Sequence, residues 1–78
     1  MADVTFEIRK HLGTLEQRDV SKPNQFVKEI NLISWNDAEP KFDIRAWNSD
    51  HTKMSKGITL TGEELKNLYD IVGTALSD

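Results

Sequence analysis

Seventy-eight residues, no cysteine and a net charge of −3 exclude several classes of protein at once. The chain is one domain, residues 1–78, with no disulfide framework, and a chain of this size buries only about 60% of the surface its unfolded form exposes. His11 and His51 stand far apart with no thiolate to join them, which argues against a zinc site, and no segment approaches the roughly 20 apolar residues of a membrane span.

A marginal core with neither disulfide nor metal needs another supplement, so self-association into a homodimer is expected. The N-terminus, MADVTFEIRKHLG, has no apolar run long enough for a signal peptide. Together with the absent cysteines this predicts a cytoplasmic protein.

Four segments read as extended. From Val4 to Leu12, Val4, Phe6 and Ile8 fall on one side and Thr5, Glu7 and Arg9 on the other, with Gly13 placed to bend or bulge the strand. Residues 16–25, EQRDVSKPNQ, are polar and contain Pro-Asn, so they form a loop. The second strand runs from Phe26 to Trp35, with Ile30 and Leu32 on one side and Asn31, Ile33 and Trp35 on the other. NDAEP, residues 36–40, is a hairpin connection into the third strand, Lys41 to Trp47. There Phe42, Ile44 and Ala46 would point to the core, and Lys41, Asp43, Arg45 and Trp47 to a wet face. Residues 48–55 are a second polar connection, and Lys56 to Leu60 a short fourth strand with Ile58 and Leu60 inward.

A helix then begins with a capping box over Thr61–Glu64, in which Thr61 caps the amide of Glu64 and Glu64 reaches back. Glu63 and Glu64 also suit the positive end of the helix dipole. Leu65, Leu68, Tyr69, Val72 and Leu76 recur at helical spacing. The sum is an α+β domain, a four-stranded antiparallel sheet followed by one C-terminal helix that covers one sheet face.

Charge is not spread evenly. Residues 61–78 carry −3, residues 1–60 are balanced, and residues 41–56 carry +2 from Lys41, Arg45, Lys53 and Lys56 against Asp43 and Asp50. Binding responds to this local field rather than to the total. Single-stranded nucleic acid is held by cations that track phosphates and by aromatic faces that stack on bases. Trp35 and Trp47 end the second and third strands, Lys41, Arg45, Lys53 and Lys56 lie on or beside the same hairpins, and Lys28 is on the second strand. These seven residues are the candidate site. Against that, each Trp could be a core lid or a dimer contact, Arg45 could pair with Asp43, and the lysines could be solubilising charges. Catalysis has no comparable signature: there is no nucleophile elbow or phosphate-binding glycine loop, Asp50-His51 reads as a solvated turn, and His11 as a surface residue. Neither an enzymatic activity nor a cofactor or metal is expected.

The stretch PKFDIRAWNSDHTKMSKGITLTGEELKNL resembles the C-terminal, single-stranded-DNA-binding domain of the transcriptional positive coactivators, and more closely their small bacterial YdbC-like relatives. The shared pattern here is Asp43-Ile44-Arg45, Trp47, Asp50, Lys56-Gly57-Ile58-Thr59-Leu60 and the helix from Gly62; Asn31-Leu32-Ile33-Ser34-Trp35-Asn36 also resembles the bacterial branch. The polar insert at residues 16–25 has no counterpart. The resemblance implies a homodimer of curved four-stranded sheets backed by helices, with single strands lying across the sheets. Arg45 and Trp47 match the family's binding arginine and aromatic residue, and Lys53 and Lys56 match basic positions before the fourth strand. Trp35 and Lys41 match approximately, because hairpin lengths differ. On this basis Arg45 meets a phosphate and Trp47 stacks on a base, and Trp47→Ala is expected to weaken binding without unfolding. The rivals are RNA on the same face and a protein-interaction module that pairs a peptide with the sheet.

Overall fold

The computed structural model describes residues 5–22 and 24–77. Four strands, β1 (Phe6–Thr14), β2 (Val27–Trp35), β3 (Lys41–Trp47) and β4 (Met54–Leu60), precede one helix, α1 (Gly62–Leu76). The sheet is an antiparallel meander in sequence order. The expected first strand began at Val4, which lies outside the described residues, and the fourth begins two residues earlier than expected. The β2–β3 turn is held by Asn36 and Asp37, both at positive φ, closed by Ala38 N–H donating to the Trp35 carbonyl at 2.9 Å. Two left-handed residues match the right-handed twist of the flanking strands, and Asn-Asp tolerates that conformation. β1 carries two bulges, one between Ile8 and Lys10 and one between His11 and Gly13. Bulges increase twist and bend the strand.

The capping box forms as the sequence predicts. Glu64 N–H donates to Thr61 Oγ1 at 3.1 Å, and Thr61 N–H to Glu64 Oε1 at 2.9 Å. Yet α1 buries none of its side chains and touches only β3 and β4. The expectation that it covers a sheet face is corrected: Tyr69 is 69% exposed and Leu76 78%, so the apolar stripe is present but uncovered within one chain.

The assignment of the two sheet faces is also corrected. Register puts Phe6, Ile8, His11, Val27, Glu29, Asn31, Ile33, Lys41, Asp43, Arg45, Trp47, Gly57 and Thr59 on one side. That side holds every buried hydrophobic residue among those described, Val27, Ile33 and Trp47, and it buries Glu29, Asn31 and Asp43 with them. Phe42, Ile44 and Ala46, expected as core, are only half-buried on the opposite side, and Ile58, expected inward, is 54% exposed. The physical reason is shape. Alternation separates two faces, but tertiary packing decides which is enclosed, and here the large aromatic rings pack together on the enclosed side.

Candidate nucleic-acid interface

The enclosed face is built from aromatic rings and polar groups that satisfy one another. Phe6 lies between the two indoles, with centroids 5.7 Å from Trp35 and 5.2 Å from Trp47, and the His51 ring stands 5.3 Å beyond Trp47. All three contacts are tilted, the geometry that aromatic quadrupoles favour over a face-to-face sandwich. The Arg45 guanidinium lies over Trp35, with Cζ 4.6 Å from the ring centroid. Such cation–π contacts strengthen when water is partly excluded.

Arg45 is held there from β3 itself. Its Nε and Nη2 donate to the two carboxylate oxygens of Asp43 at 2.7 and 2.8 Å, and Thr59 Oγ1 donates to Asp43 Oδ2 at 3.1 Å. Asp43 is wholly buried and Arg45 nearly so, which makes this bidentate pair a structural unit. The pairing alternative weighed from the sequence is therefore what the chain adopts. Gly57 makes it possible. It is the cross-strand neighbour of Arg45 on β4, and a Cβ added there would overlap the Arg45 side chain and the Ile44 carbonyl.

A second buried carboxylate, Glu29, sits cross-strand from Arg45. Asn31 Nδ2 donates to its Oε1 at 3.2 Å, His51 Nε2 is 2.8 Å from the same oxygen, and Arg18 Nη2 donates to Oε2 at 3.3 Å. Burial pushes the Glu29 carboxyl up, but the hydrogen bonds from His51 and Asn31 and the charge of the two histidines outweigh it and hold it below its ordinary value. Arg18 also donates to the Gln25 carbonyl at 2.8 Å and the Trp47 carbonyl at 3.0 Å, so the loop at residues 15–26 is strapped to the ends of β2 and β3.

The seven sequence-predicted residues are not gathered in one place. Trp35, Lys41, Arg45 and Trp47 share the enclosed face. Trp35 is half-buried and Lys41 exposed, whereas no surface of Trp47 is open, so the expectation of a free Trp47 ring is not met. Lys53 is exposed in the β3–β4 connection. Lys28 is paired with Ala46 and Lys56 precedes Gly57, so strand alternation points both to the opposite side. The sequence reading missed Arg18, Glu29 and His51. Arg18 lies in a loop whose sequence is simply polar, and His51 in one that reads as a solvated turn; its φ of 60° is a tertiary feature with no local signature. His11 is half-exposed, as expected of a surface residue, but its Nδ1 stands 2.7 Å from Asn31 Oδ1.

Neither indole N–H of Trp35 and Trp47 finds an acceptor among the described residues, and both are buried. Among those residues no cluster of His, Asp or Glu has metal-binding geometry, and no helix is long and apolar enough to cross a membrane.

Two comparisons place this arrangement. An uncharacterised protein of Treponema pallidum (strain Nichols) is 38% identical over 76 residues, covering 97% of this chain and 85% of the relative. The model of the Transcriptional Coactivator p15 (PC4) family matches residues 23–71. The chain belongs to the p15 (PC4) family. That family is one of non-enzymatic nucleic-acid-binding, coactivator-like proteins. The matched segment contains all seven candidate residues, together with Glu29, His51 and Gly57. It leaves out β1 and the start of the 15–26 loop, and with them His11 and Arg18.

Proposed function

We propose that this member of the p15 (PC4) family binds single-stranded DNA with little sequence preference, as a non-catalytic accessory protein that acts as a homodimer. The observation that carries the reading is the Arg45–Trp35 pair, a cation and an aromatic ring held together on the inner face by the buried Asp43. Stacking on a ring and contact with a cation are the two elements of sequence-tolerant single-strand binding. Trp35 keeps part of its ring accessible and takes the stacking role; Lys41 lies on the same face and Lys53 at its end, where they meet phosphates. Trp47 serves as the floor against which Phe6 and Trp35 pack. Lys28 and Lys56 assist only where a strand wraps round to the other side.

The homodimer is supported by the apolar surface that one chain leaves open. Leu68, Tyr69, Ile71, Val72 and Leu76 of α1 and Ile58 of β4 are all exposed. A contiguous apolar surface of this kind is costly to leave in water and is covered by a second copy. Sedimentation at micromolar concentration is expected to give twice the chain mass; a single-chain mass would remove the dimer from the proposal.

The test of binding is intrinsic Trp fluorescence during titration with an oligo-thymidine of about 20 nucleotides, with duplex DNA and an oligo-uridine alongside. Saturable, salt-sensitive quenching, much weaker with duplex, is expected. Trp35→Ala should weaken binding roughly tenfold, the loss of one stacked base at about 1–3 kcal/mol. No signal and no mobility shift with any oligonucleotide would overturn the reading.

A further inference from the structure

Glu29 is a buried charge for which single-strand stacking has no use. Its side chain is 3% exposed, and ionisable groups reach it from three separate elements. From β1, His11 Nδ1 lies 3.6 Å from Oε1; from the β3–β4 turn, His51 Nε2 lies 2.8 Å from the same oxygen; from the 15–26 loop, Arg18 Nη2 lies 3.3 Å from Oε2. The two imidazoles form the solvent side of this cluster, with side chains 51% and 34% exposed above the enclosed carboxylate. His51 is fixed in place by its contact with Trp47 and by a left-handed backbone that few residue types other than glycine adopt.

The remaining charges facing the cluster are accounted for. Arg45 lies cross-strand from Glu29 and is neutralised by Asp43. Thr14 faces Glu29 from β1, and Gly57 and Thr59 on β4 bring no charge. Asp50, beside His51, has its carboxylate engaged by the Thr52 hydroxyl at 2.7 Å. With both imidazoles neutral, Arg18 and Arg45 balance Glu29 and Asp43 within the cluster, and Lys41 at the far end of the face adds one positive charge. Glu29 is held ionised by its partners across the range in which histidine titrates. Each proton taken up by His11 or His51 therefore adds positive charge at the solvent-facing rim of a surface that would receive a polyanion.

We infer that nucleic-acid binding on this face is coupled to protonation of His11 and His51, so that affinity rises as pH falls. This rests on the single-strand-binding reading above. Glu29 and His51 lie inside the family-matched segment, and His11 and Arg18 outside it.

The test is the oligo-thymidine titration on the full chain at fixed ionic strength, at about pH 8 and about pH 6. Wild type should bind roughly tenfold more tightly at the lower pH, the gain expected from added charge–phosphate attraction in a solvated setting. In the double variant His11→Gln, His51→Asn the ratio of the two affinities should fall to about one. Gln keeps a partner for Asn31, and Asn tolerates the left-handed backbone at position 51. Circular dichroism verifies the fold; if the substitution at His51 disrupts it, His11→Gln alone must still lower the ratio. Equal wild-type affinity at both pH values, or a wild-type ratio in the double variant, would overturn the coupling while leaving single-strand binding intact. Absence of binding at both pH values would remove the single-strand reading itself, and the coupling with it.

Discussion

Replacing Gly57 with alanine adds one carbon where β4 passes beneath Arg45. An ideal Cβ there overlaps Arg45 Cβ and stands 2.5 Å from the Ile44 carbonyl oxygen and 2.9 Å from Arg45 Nε. Only Nε belongs to the part of Arg45 that can swing away; Arg45 Cβ is fixed by its backbone and the carbonyl is backbone of β3, which lies between two hydrogen-bonded neighbours. β4 must therefore give way, and displacement of Nε also strains the Arg45 contact with Asp43. Overpacking of this kind costs about 1–3 kcal/mol. Loss of one partner of a buried ion pair costs about 3–5 kcal/mol, because the other charge is left enclosed. β4 is an edge strand and can yield, so the sum falls toward the lower values, about 2–3 kcal/mol. In a domain of this size each kcal/mol lowers Tm by about 4–8 °C, giving a loss of roughly 10–20 °C. Thermal unfolding by circular dichroism measures it, and native-state Trp fluorescence reports whether the Arg45–Trp35 contact has opened. A Tm within about 3 °C of wild type, with unchanged native fluorescence, would refute the close approach of β4 to Arg45 as the reason for glycine at this position.

The structure reverses what the sequence alone predicts for Trp47. Trp47→Ala should destabilise by about 3–5 kcal/mol, much of the total stability of a small domain, and a urea titration should show a large fall in midpoint rather than a binding defect in a folded protein. Glu29 predicts an acid limb. Its folded-state pKa lies below the ordinary glutamate value, so its stabilisation is full above that ordinary value and is lost as pH falls through the lower, folded-state one. Stability measured between about pH 5 and pH 3 should fall less steeply in Glu29→Gln than in wild type, and an unchanged slope would remove Glu29 as a source of acid sensitivity.

Strand alternation, the Asn-Asp hairpin and the Thr61–Glu64 capping box are local patterns. Each depends on residues a few positions apart, which is why the order of four strands and one helix was legible along the chain. The Asp43–Arg45 pair was legible too, as two residues on the same side of one strand. Arg18, Glu29 and His51 were not, because they lie in separate elements and meet only when β2, the 15–26 loop and the β3–β4 turn converge. Nothing in the loop sequence EQRDVSKPNQ distinguishes an arginine that straps three carbonyl and carboxylate oxygens from one in water.

The sequence by itself determined the elements, their antiparallel order and the family to which the chain belongs, since these rest on short-range periodicity and on a shared pattern of residues. Only the tertiary structure decided which sheet face is enclosed. Alternation gives two faces and does not say which one is enclosed, and the packing of Trp35, Phe6 and Trp47 against one another closes the side that carries Asp43, Arg45 and Glu29. Ile58 and the stripe of α1 stay in solvent, so the face that reads as core is the one that a single chain leaves uncovered.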